Sequence, residues 1–154
     1  MSAITVEGAA KHIAALMGLT VTAKKGQPTD IKGTIAVGVV VDEAGEVVTL
    51  IQFDMASAAS VGAALSRVPA GAAADAARRN QMDEILLGNF HEVINVLTVL
   101  TTAAVGRRTI LKYVKQGKEA VEPSLVAFAS AAKTKIFGQL TIQGYAGGHF
   151  AFLL

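Results

Sequence analysis

The chain has no cysteine. That excludes disulfide staples, thiol nucleophiles and thiolate metal sites, and it is compatible with a reducing cytoplasm. Charge is scarce too: 17% of the residues are Asp, Glu, Lys or Arg, and the formal net charge is only +2. Such a balance argues against a nucleic-acid surface. Lys24, Lys25, Lys32, Arg107, Arg108, Lys112, Lys115 and Lys118 are scattered rather than gathered, as solvated positions are. The start of the chain has no basic segment followed by an apolar run, so no secretory signal is expected. No stretch reaches the ~18 uncharged apolar residues of a membrane span. The longest, Val93 to Val105, is shorter and holds Asn95 and several threonines. A soluble protein with no membrane partner is the expectation.

Other chemistries are also missing. His12, His91 and His149 lie far apart, with no His or Asp at i+4, so no metal site is expected. The glycines form neither a GxGxxG motif nor a P-loop, and read as turn or close-packing residues. Ser57, Ser60, Ser66 and Ser124 lack a GxSxG setting, which leaves a hydrolase triad unsupported.

What the sequence does have is one long helical pattern, from Asn80 to Thr102. Leu86, Phe90, Val93, Leu97 and Leu100 recur at steps of four, three, four and three, which puts them on one side of a helix. The opposite side reads Gly88, Glu92, Asn95, Val99 and Thr102. Glu92 and Asn95, at i and i+3, point the same way. A carboxylate and an amide one turn apart, with no bulky residue beside them, form a polar pair open to a docking partner. On their own they read first as the exposed face of an ordinary amphipathic helix.

Around that helix the chain divides into short elements. Val6, Ala9, Ala10, Ile13, Leu16 and Met17 mark an amphipathic helix over 5–17, which Gly18 stops. Leu19 to Lys25 reads as a short strand, and Gly26-Gln27-Pro28 as a turn. Thr34 to Val41 and Glu46 to Phe53 are β-branched, apolar runs joined by Asp42-Glu43-Ala44-Gly45, hence a β-hairpin. Their continuous apolarity predicts strands buried on both faces. Asp54 caps an alanine- and serine-rich helix from Met55 to Arg67, ended by Pro69 and Gly71. Ala72 to Arg79 is a loop or a helical lead-in.

Gly106 ends the long helix, and Thr109 to Val114 follows as a strand. Gln116-Gly117-Lys118 is a turn, and Ser124 to Ala132 a short helix or an irregular connection. Thr134 to Tyr145 alternates as a strand does, and Gly147-Gly148 turns it into a last strand from His149 to Leu154. The expected architecture is a single α+β domain over 1–154. A central β-sheet with two β-hairpins is packed by amphipathic helices, one of them long.

Taken together, these features resemble the CheC/CheX family of chemotaxis phosphatases, the one-site CheX branch most closely. The resemblance runs over nearly the whole chain. It takes in the N-terminal helix and strand from His12 to Lys25, and the hairpin from Gly33 to Leu50. The alanine-rich helix from Ala56 to Leu65, the motif Glu92-Val93-Ile94-Asn95 and the closing strands from Ile136 to Leu154 complete it. The family often has Asp or Ser one turn before the glutamate, where this chain has Gly88. The family proline downstream of the asparagine has its nearest counterpart in Pro123, further along the chain.

The resemblance implies hydrolysis of the aspartyl-phosphate of a CheY-like receiver domain. Glu92 would grip the receiver's lysine, and Asn95 would orient the attacking water. Gly88, His91 and Val99 would flank the docked partner. It implies no cofactor in this chain, with Mg²⁺ held by the receiver, and a cytoplasmic homodimer paired through a sheet edge. The alternative is a non-catalytic binding or assembly module of the same fold. Either way, Glu92 and Asn95 are expected at the surface, with Leu86, Phe90, Val93 and Leu97 buried.

Overall fold

The apolar run from Ile35 to Val41 becomes a central strand, buried along its length. The structure is a computed structural model that describes residues 3–31, 33 and 35–154. The elements run α1 (Val6–Met17), β1 (Val21–Lys25), β2 (Ile35–Asp42), β3 (Val47–Asp54), α2 (Met55–Leu65), α3 (Ala70–Arg79), α4 (Glu84–Val105), β4 (Thr109–Gln116), α5 (Pro123–Ala131), β5 (Lys135–Ile142) and β6 (Tyr145–Leu153). Short 3-10 turns occupy Pro28–Asp30 and Gly117–Val121. Thr34, expected to open the first long strand, and Lys32 lie outside the described residues.

The six strands form one antiparallel sheet in the order β1-β5-β6-β3-β2-β4. Side chains alternate across it. Ala36, Val40, Ile51, Phe53, Phe150 and Phe152 join the main core with α1 to α4. Ile35, Val37, Val39, Leu50, Ala151 and Leu153 join a smaller core closed by Ala120 and by Leu125 of α5. Both faces of β2 are therefore covered, which is why it reads as continuous rather than alternating apolarity. The α+β class expected from the sequence is the one observed.

Helix ends follow their caps. Thr5 accepts a hydrogen bond from the Gly8 amide at the start of α1, and Gly18 ends it with φ 68°. Asp54 caps α2, accepting from the Ser57 amide at 2.8 Å and lying close to the Ser57 hydroxyl at 2.7 Å. α2 is made almost entirely of small residues because it is buried on nearly every side: Ala58, Ala59, Ala63 and Ala64 are all inaccessible.

The end of α2 and the last turn differ from expectation, and two segments left open between helix and loop are helices. Pro69 and Gly71 do not end α2, which stops at Leu65; Pro69 instead stands immediately before α3, and Gly71 lies in its first turn. Residues 70–79 are a helix in their own right. Alanine propensity and burial of Ala73 and Ala76 against α2 suffice without a bulky side chain. Residues 123–131 form α5, opened by Pro123 in its first turn. The last hairpin turns at Gln143 and Gly144, between the paired residues Ile142 and Tyr145. Gly147 and Gly148 lie inside β6, next to a register shift opposite Leu140 to Ile142.

α4 has 22 residues and is apolar enough by composition to cross a membrane. One side of it, with Leu86, Phe90, Val93, Ile94 and Leu97, packs inside the main core, and the other side is exposed.

Candidate functional site

α4 carries the polar pair, and four local devices fix where it lies. Asp83 caps its start, accepting from the Leu86 amide at 2.9 Å. Gly106 ends it in the left-handed conformation, φ 81°. Gly38 of β2 lets the helix settle on the sheet, since a Cβ there would stand 2.4 Å from the Ile94 side chain. The Asn89 amide then crosses to α2, donating to the Gly62 carbonyl at 2.8 Å and to the Ser66 hydroxyl at 2.7 Å. Below it, the Phe90 ring meets Phe53 edge to face, 5.4 Å between centroids.

The far end of α4 is tied to β4 by threonine hydroxyls. Thr101 and Thr109 are 2.8 Å apart, Thr102 and Thr109 2.7 Å. Thr98 donates to the Asn95 backbone carbonyl at 2.6 Å, and Thr101 donates to that of Thr98 at 2.8 Å. The backbone is thus held from the Asn95 carbonyl onward, and among the described residues the Asn95 side chain has no hydrogen-bond partner.

Gly88, His91, Glu92, Asn95 and Val99 are all exposed, and Leu86, Phe90, Val93 and Leu97 are buried. Among the described residues, neither the Glu92 carboxylate nor the Asn95 amide has an intramolecular hydrogen-bond or ion-pair partner. His91 also faces solvent, about 100° around the helix from Glu92, as a flank of the face rather than part of its centre. A Cβ at Gly88 would meet nothing within 4 Å, so the surface there is open. Val99 is 59% exposed, and so is a residue the sequence reading passed over: Ile85, at 64%. The signal for Ile85 was its spacing, seven residues before Glu92.

Chemically, this face offers an acceptor with a negative charge, an amide that can both donate and accept, and apolar contact at its margins. The charged side chains of α4 are Glu84 and Glu92, with no Lys or Arg in the helix. The face therefore suits a cationic group.

A second polar cluster has a different character. The chain brings Ser57, Asp54 and His149 together, which the sequence spacing did not announce. The Asp54 carboxylate accepts from the His149 amide at 3.1 Å and faces its ring Nδ1 at 3.2 Å. The Ser57 hydroxyl, however, lies 2.7 Å from the His149 carbonyl rather than against the ring, and Ser57 is inaccessible. A serine nucleophile needs a base at its hydroxyl and a path for substrate; this one is part of the α2 cap. His12 bonds the Gly8 carbonyl within its own helix, 2.9 Å away. Among the described residues, no three His, Asp or Glu side chains converge as metal ligands do.

No protein-family model and no curated protein matches this sequence. Solved structures do match its fold. The chain is similar to FliY of Thermotoga maritima, with a TM-score of 0.60 at 13% identity, over 97% of this chain and 83% of that one. It is similar to the FliM middle domain from H. pylori, with a TM-score of 0.59 at 10% identity, over 96% and 83% of the two chains. FliM in a FliM–SpeE complex from H. pylori matches with a TM-score of 0.62 at 10% identity, over 96% and 80%. At such identities the likeness shows the fold alone, the α+β fold of these FliY and FliM structures.

Proposed function

We propose that this chain is a protein-docking module that engages a signalling partner, a CheY-like receiver domain, through the outer face of α4. The observation that carries this reading is the state of Glu92 and Asn95. Both are exposed, one turn apart, on a helix otherwise fixed by its core, and neither has an intramolecular hydrogen-bond or ion-pair partner among the described residues. Solved complexes of domains with this fold, FliM with SpeE and FliM with FliG, support a docking role for the fold. A carboxylate with no ion-pair partner among the described residues favours a partner that presents a lysine or arginine. Titrating the activated receiver domains of the source organism against the protein tests it. Binding that Glu92→Ala weakens about tenfold or more supports the reading, since a charge-assisted contact is worth roughly 1.5–3 kcal/mol.

The same pair favours a second, catalytic reading, in which the module is a CheX-branch phosphatase. An aspartyl-phosphate is already reactive, and the receiver supplies Mg²⁺. What is left for a second protein to add is a placed water, because phosphoryl transfer rests on positioning and electrostatics. The Asn95 amide can accept from water and donate to a phosphate oxygen at once. Asn95→Ala would then abolish stimulated dephosphorylation and leave binding nearly unchanged, as expected of an interaction made mainly in the transition state. Wild-type protein that binds a phosphorylated receiver without shortening its lifetime would leave the docking reading alone standing.

The module needs no cofactor of its own in either reading, and both place it in the cytoplasm, where receiver domains are phosphorylated. A homodimer paired along a sheet edge belongs to the same proposal. β1 is a five-residue edge with Lys24 and Lys25 exposed. β4, eight residues long, is the edge better suited to pairing.

A further inference from the structure

Ile85, Glu92 and Val99 stand seven residues apart, at i, i+7 and i+14 of α4. Heptad spacing drifts only ~20° per repeat around a helix, so the three side chains form one line along its outer face. Gly88 and Asn95 fill the intermediate positions. The apolar ends of this line lie about 10 Å on either side of the carboxylate, at 1.5 Å per residue.

Ile85 and Val99 are the two most exposed large apolar residues among those described, at 64% and 59%. Neither is needed by the core, which α4 meets through Leu86, Phe90, Val93, Ile94 and Leu97. Single exposed apolar residues are ordinary. Two of them placed symmetrically about a carboxylate that has no ion-pair partner among the described residues, on the line that also carries Asn95, make a pattern with a direction and a length.

We propose that Ile85 and Val99 are apolar anchors that fix the docked partner along α4, setting its register so that its cationic group meets Glu92. This rests on the docking reading of α4 given above. The partner surface that fits is a lysine or arginine with apolar ground about 10 Å to each side. Charge decides against a second copy of this chain as the occupant. Two α4 helices paired antiparallel and centred on this line would set Glu92 against Glu92, and like charges in register are unfavourable. Gly88 adds to the fit: with no Cβ, it lets the partner approach the helix backbone between Ile85 and Glu92.

The test uses the intact protein and the activated receiver domains of the source organism, with beryllofluoride as the phosphate mimic. Affinities are measured for wild type, Ile85→Ser, Val99→Ser, Ile85→Leu and Glu92→Gln. Thermal melts check that each variant is folded. We expect Ile85→Ser and Val99→Ser each to weaken binding about tenfold, as loss of an apolar anchor does, with Ile85→Leu close to wild type. If both serine variants bind like wild type while Glu92→Gln binds more weakly, the anchors are refuted and the docking face survives. If no receiver binds wild type, or if all variants including Glu92→Gln bind equally well, the docking face itself is refuted and the anchors go with it. A wild-type dimer that Ile85→Ser converts to monomer would assign the line to a second copy and overturn the proposal.

Discussion

Gly62 of α2 and Leu86 of α4 meet backbone to backbone: a Cβ on Gly62 would lie 2.6 Å from the Leu86 carbonyl oxygen. The helix that carries the candidate site is positioned by that absence of a side chain, and by the Asn89 amide, which bonds the carbonyl of the same Gly62. Gly62→Ala must therefore push α4 outward or strain both helices. The expected cost is about 1–3 kcal/mol, lowering the melting temperature by about 2–4 °C per kcal/mol. Thermal unfolding measures it; an unchanged melting temperature would mean that the two helices are not in close contact.

Gly88 should behave in the opposite way. It lies inside the same helix, with nothing near its missing Cβ. Gly88→Ala should stabilise the protein by up to about 1 kcal/mol, because glycine is the weaker helix former. Gly88→Asp should also fold. A loss of receiver affinity in Gly88→Ala, with stability raised, would show that a partner uses the space.

Acid sensitivity should be traceable to Asp42. Burial raises its pKa, but hydrogen bonds from the Glu46 amide, the Arg107 guanidinium and the Ala44 amide outweigh that and hold its carboxyl below the usual aspartate range. A depressed folded-state pKa means that folding favours the ionised form. Its contribution is fully present above the ordinary aspartate range and is lost as pH falls through the folded value. Asp42→Asn should accordingly be less stable than wild type at neutral pH, and the gap should close in acid. Denaturant unfolding from pH 7 down to the acid limit of folding measures the gap; one that widens in acid contradicts the assignment.

Pairing along β4 predicts a dimer in solution. Ile110, 46% exposed on that unpaired edge, would be covered by it. Sedimentation should give a dimer at micromolar concentration; a monomer there would count against edge pairing.

Much of this was legible in the residues themselves. The continuous β-branched run of β2, the Asp54 cap and the Gly18 and Gly106 stops each report a local physical preference, and each lies where the sequence placed it. The split of α4 into a buried and an exposed side was equally readable, because helical period alone fixes it. The stretches left open or misread lie where tertiary packing decides. α3 has no bulky apolar residue, so its helix is visible only once α2 is there to cover Ala73 and Ala76. Gly147 and Gly148 look like a turn, yet the turn formed at Gly144 (φ 84°), while a Cβ on Gly148 would collide with the Asp54 carboxylate and the Ser57 amide. The Asp54–His149 contact joins residues 95 positions apart, which no local pattern encodes.

Docking of a receiver domain should leave its mark on the outer face of α4. Backbone amide shifts of the isotopically labelled protein, followed by NMR as an activated receiver is added, test it most directly. The largest changes should fall on α4 between Ile85 and Val99, centred on Glu92 and Asn95, and Glu92→Ala should remove most of them at the same concentrations. Changes confined to α5 or to the β4 edge, with α4 silent, would contradict it.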